Sequence, residues 1–135
     1  MAAWGTKTFE EDTANDWIQE LIDSEDAREF LSESLSIDPG YIEADQAAIV
    51  LAASETLIAL LDEPRIGVPG ELVDWVGDNE CDDVSDLPEV ALPALAKVLG
   101  KESELREIWS DSEDFDGWLE NIESMREVIT QMAQL

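Results

Sequence analysis

Histidine is absent from this 135-residue chain, and cysteine occurs once, as Cys81. The missing histidine removes zinc sites of the usual kind and the Glu-x-x-His ligand pairs of di-iron bundles. It also removes the base that most often activates a serine or cysteine nucleophile. A lone cysteine excludes an internal disulfide, and the acids beside Cys81 disfavour a reactive thiolate. Basic residues are nearly as scarce: three lysines and four arginines face 34 acids, for a net charge of -27 at pH 7. Such a surface repels nucleic-acid phosphates and anionic lipid heads, so no direct nucleic-acid binding and no membrane association are expected. Also missing are a glycine-rich phosphate loop, a nucleophile motif and a cofactor fingerprint. Neither an enzyme nor a bound cofactor is expected. Residues 1–20 lack the basic start and apolar stretch of a secretory signal, which fits a cytoplasmic protein.

What is present is helical periodicity. In "TANDWIQELI", Ala14, Trp17, Ile18, Leu21 and Ile22 fall on one face. Thr13 and Asp16 have the spacing of a capping box, with Phe9 placed to pack back as a staple. Ser24 opens a second helix whose Phe30, Leu31 and Leu35 point inward, and "SIDPG" breaks it at Pro39 and Gly40. A third helix over roughly 41–62 is apolar on more than one face and rich in alanine, as suits a helix surrounded by others. Its segment 47–61 is too short to span a bilayer and carries Glu55, so it reads as a core helix. Pro69 begins a short fourth helix ending near Gly77, and Asp86 caps a fifth with Pro88 in its first turn. Pro93 predicts a kink there, or a late start. Gly100 closes this helix, and Ser103 caps the sixth. Trp118, Ile122, Met125, Ile129 and Met132 form the seam of the last, which starts between 112 and 117. No segment alternates as a strand. The expectation is a compact all-α domain over 1–135, a bundle of six or seven helices around the central alanine-rich one, either monomer or homodimer.

The opening stretch "AAWGTKTFEEDTANDW" resembles the start of the bacterial domain-of-unknown-function 4259 family, through Trp4, Gly5, Phe9, Asp12, Ala14, Asp16 and Trp17. Ala2 and Glu11 depart from the usual Gly and Asn. "ADQAAIVLAASE", "SELREIW" and Trp118 resemble the later parts of the same family. The resemblance implies a small cytoplasmic bacterial domain and no particular chemistry.

Three places invite a functional reading. The segment 112–123 matches the D-x-D-G core of a calcium loop, with Asp114, Asp116 and Glu123 as candidate ligands. Against this, Ser112 holds the first ligand position, Phe115 and Trp118 are large and apolar, and no second copy exists. The other reading is an acidic helix start. The acidic loop after Trp75, with Asp78, Glu80, Asp82 and Asp83, is a candidate partner-binding segment; Trp75 would be an exposed aromatic among acids. Glu55, if buried, is a candidate acid/base residue; an ion pair with Arg65, Arg106 or Arg126 is the commoner arrangement.

The expected function is a non-enzymatic acidic interaction protein of the immunity or inhibitor type, covering a basic partner surface. Two alternatives stand beside it. The acidity reflects solubility or salt adaptation, in which case acids spread evenly rather than gathering on one face. Or residues 112–123 form a calcium module.

Overall fold

The computed structural model describes residues 8–10, 12–37, 40–65, 67–79 and 84–134. Among these, a short 3-10 helix (Thr8–Glu10) precedes seven α-helices: α1 Asp12–Asp23, α2 Ala27–Leu35, α3 Ala44–Leu61, α4 Gly70–Asp78, α5 Leu87–Val98, α6 Glu104–Ser110 and α7 Phe115–Ala133. The fold is all-α and compact, as the periodicity predicts. The one extended pairing among the described residues is an isolated parallel bridge between Ile42 and Ser103, which ties the entry of α3 to that of α6.

The helices are organised by α3. It is apolar on every side, and residues 50–59 are buried without interruption. A helix of this kind is stable only when other elements cover its whole circumference. The short 3-10 helix and all six other α-helices pack against it. By length and composition alone α3 would also pass as a membrane span; here most of it lies inside the bundle. Ala47, Ala52 and Ala53 are buried and let neighbouring backbones approach. Leu57 and Ile58 fill the space between, each contributing about 1.5–3 kcal/mol by leaving water. The buried hydroxyls of Ser54 and Thr56 donate back to the carbonyls of Val50 (2.8 Å) and Ala52 (2.9 Å), so neither is stranded in the core.

Several helix boundaries differ from the sequence expectation. α1 begins at Asp12, which places Thr13 in its first turn. The Thr13 hydroxyl reaches across to donate to Asp45 Oδ1 at 3.2 Å. Ile22 is exposed although it shares the periodic face, because that face wraps beyond what α3 covers. Asp26, not Ser24, caps α2, accepting from the Glu29 amide. Ser24 instead closes α1, its hydroxyl donating to Leu21 O. α5 runs through Pro93 without interruption. The amide that proline lacks would have bonded the carbonyl of Glu89, and both residues are exposed, the setting in which a missing helix hydrogen bond costs least. Ser103 caps α6 as expected, accepting from the Arg106 amide at 3.2 Å.

On α7, Trp118, Ile122, Met125 and Ile129 are buried and Met132 packs at the margin. Trp118 stacks between Trp109 (centroids 6.4 Å apart) and Phe115 (6.0 Å). Arg106 lies over the outer face of Phe115, 5.8 Å from its centroid.

Candidate functional site

The expected partner-binding segment is only partly within the described residues. Asp78 ends α4 and is exposed. Trp75 is half-buried and packs against the core, so most of its surface serves the fold. Glu80, Asp82 and Asp83 lie outside the described residues, as do Cys81, Pro39 and the Trp4, Gly5 and Glu11 of the opening motif.

The exposed aromatic ringed by acids is a different residue. Tyr41 is 51% exposed, and its hydroxyl donates to Glu107 Oε2 at 2.8 Å. This bond holds the phenol proton in place. Partial desolvation and the negative charges of Glu107, Glu104 and Glu43 add to it, and the Tyr41 pKa is pushed from 10.0 to about 12. A folded-state value above the unfolded one means that the native state keeps a proton the unfolded chain releases. The contribution is therefore complete below pH 10 and disappears as pH rises through about 12. Because the chain has one tyrosine, tyrosinate absorbance near 295 nm reports it alone. In folded protein the titration is expected near pH 12, and Glu107→Gln should move it back toward 10. A wild-type midpoint at 10 with no response to that change would show that the bond does not persist in solution.

Residues 112–123 form the start of a helix. The Ser112 hydroxyl accepts from the Asp114 amide at 3.1 Å, Asp114 is the N-cap, and α7 is continuous from Phe115. Asp114, Asp116 and Glu123 are all exposed. On one helix Asp116 and Glu123 are about 10 Å apart along the axis, so this arrangement does not bring the three carboxylates together. No group of three or more Asp, Glu, Cys or His side chains converges among the described residues. The large apolar residues that sat awkwardly in a calcium loop are the ones packed into the core.

Glu55 lies in the interior and pairs with Arg65. Arg65 Nη1 donates to Glu55 Oε2 at 3.1 Å, with side-chain exposures of 20% and 4%. The other guanidinium nitrogen donates to both the main-chain oxygen (3.2 Å) and Oδ1 (3.1 Å) of Asn121. The Thr8 hydroxyl donates to the same Glu55 oxygen at 2.9 Å, and Asn121 Nδ2 contacts Thr8 Oγ1 at 3.4 Å. The four residues come from the 3-10 helix, α3, the α3–α4 loop and α7. They form a polar clasp, buried at Thr8 and Glu55 and half-buried at Arg65 and Asn121, across parts of the chain remote in sequence. Arg106 and Arg126, the other candidate partners of Glu55, lie elsewhere: Arg106 donates to Leu99 O at 2.8 Å, and Arg126 is exposed on α7. Glu55 stands out in the sequence by its position in an apolar run. Arg65 is one of the three arginines named as its candidate partners, whereas Thr8 and Asn121 carry no local signal.

The arginines are thus largely engaged within the fold. Arg28 makes a two-pronged pair with Asp86 (2.6 and 2.8 Å), and its guanidinium holds the Asp86 carboxyl below the usual range. Exposed acids meanwhile occur on every α-helix: Asp16 and Glu20 on α1, Glu33 on α2, Asp45 at the start of α3, Asp74 on α4, Glu89 on α5, Glu107 on α6 and Glu120 on α7.

A family model described as "Domain of unknown function (DUF4259)" matches residues 2–121. No curated protein and no solved structure matches the chain.

Proposed function

This chain belongs to the DUF4259 family, and we propose that it acts as a non-enzymatic acidic interaction protein, a helical body that covers a basic surface on a partner protein. The observation that carries this reading is the one-sided use of charge. The net charge is -27, while Arg28, Arg65 and Arg106 are occupied by groups of the protein itself. The outward field is therefore almost purely negative. It accelerates encounter with a cationic surface and rejects anionic ones.

The test is titration of an N-acetylated octa-arginine peptide into the protein at several salt concentrations. Saturable one-to-one binding is expected, with Kd rising at least about tenfold between 50 and 500 mM salt. Many weak equivalent sites without saturation would sink the proposal.

That outcome would favour a second reading, in which the acidity serves solubility or salt tolerance. The spread of exposed acids over all seven α-helices supports it.

A further inference from the structure

A cleft of about 230 Å³ opens where α1, α2 and α3 meet. Its lining includes Trp17 and Glu20 from α1, Phe30, Glu33 and Ser34 from α2, and Ile49 from α3. The aromatic pair behind it is held in register. Trp17 and Phe30 stack at 5.5 Å with 27° between their planes. The Trp17 indole N–H donates to Ser34 Oγ (3.0 Å), and that hydroxyl donates on to Phe30 O (2.8 Å). Trp17 is buried, so the half-buried Phe30 and Ile49 supply the apolar surface that a ligand would meet. The charged residues of the lining are both carboxylates, Glu20 and Glu33, and both are exposed. No arginine or lysine lines the cleft among the described residues.

We propose that this cleft receives one arginine side chain of a basic partner protein, its guanidinium against the Phe30 ring and its charge shared by Glu20 and Glu33. The proposal rests on the acidic-interaction reading and gives it a point of attachment. Three features favour this occupant. The volume is below the roughly 300–1,000 Å³ of small-molecule pockets and suits a single side chain. The lining carries charge of one sign, complementary to a cation. A planar, weakly hydrated guanidinium stacks on an aromatic ring while pairing with carboxylates, which an ammonium does less well.

The octa-arginine peptide again serves as probe, now with variants whose folding is verified by circular dichroism. Glu20→Gln/Glu33→Gln is expected to raise Kd about tenfold, as loss of both ion pairs implies. The control Glu89→Gln/Glu120→Gln removes the same charge from α5 and α7 and should raise it less than about threefold. Phe30→Leu keeps the apolar surface but loses the ring, and about threefold weaker binding is expected. Equal, small losses in both double variants would overturn the cleft and leave the general reading intact. Absence of saturable binding by the unmodified protein would overturn the general reading itself.

Discussion

Replacing Arg65 by alanine is expected to cost about 3 kcal/mol of stability, the lower end of what breaking a buried ion pair costs. The lower end applies because the Arg65 side chain keeps 20% of its exposure, whereas Glu55 keeps 4%. The loss is asymmetric. Alanine removes three hydrogen bonds, one to the buried carboxylate and two to Asn121. The carboxylate stays in the interior with its guanidinium partner gone. At this chain length the effect corresponds to a fall of about 10 °C in thermal midpoint. Glu55→Gln keeps the shape and some hydrogen bonding while removing the charge, and should cost less, about 1–2 kcal/mol. The two changes should not add. With Glu55 neutral, Arg65→Ala no longer removes a charge–charge contact, so the double variant should be more stable than the sum of the singles implies, by about 1 kcal/mol or more. Urea denaturation followed by circular dichroism provides all three values. A loss below about 0.5 kcal/mol for Arg65→Ala would mean that the clasp contributes nothing beyond an ordinary surface pair.

Salt should act on stability with a comparable magnitude. With 34 acids against seven bases and exposed acids on all seven α-helices, neighbouring carboxylates repel. At about 10 Å in water each such pair costs roughly 0.4 kcal/mol. The unfolded chain spreads these charges apart, so the repulsion falls mainly on the folded state. Raising NaCl from about 10 mM to 1 M shortens the screening distance from about 30 to about 3 Å. The thermal midpoint should rise by about 10 °C, most of it below about 0.3 M, where screening already acts within the spacing of neighbouring acids. The shape of this curve separates the two functional readings. A plateau by about 0.5 M fits simple screening in a protein whose charge faces a partner. A rise that continues beyond 1 M would favour salt adaptation. No dependence at all would mean that the surface charge is neutralised in some other way.

The elements that the sequence made legible are those set by local period and caps. The alanine-rich run predicted a helix over roughly 41–62, and α3 spans Ala44–Leu61. Ser103 and the four-three-four spacing of α7 announced themselves in the same manner. Pro93 predicts a kink or a late start; the late start is corrected, because α5 is helical from Leu87, and both Pro93 and Glu89, whose carbonyl loses its amide partner, lie on the exposed side. The polar contacts are legible only in part: an acid inside an apolar run implies an arginine partner for Glu55, but not which arginine, nor the roles of Thr8 and Asn121. Thr8, Glu55, Arg65 and Asn121 meet across separations of up to 113 residues, and a long-range pair of this kind leaves no period in the sequence. Tyr41 likewise gave no signal, because Glu107, its partner, lies 66 residues away. Trp75 did, as a tryptophan beside an acidic loop, and the structure uses it mainly for packing.

The central position of α3 also decides how the molecule opens. Every other helical element packs on it, so none can detach without exposing part of an apolar helix to water. Partial openings that spare the core are therefore confined to chain ends, turns and outer helix faces. The amides of residues 50–59 exchange with solvent deuterium only when the whole bundle comes apart, and their protection measures the global unfolding free energy in the absence of any denaturant.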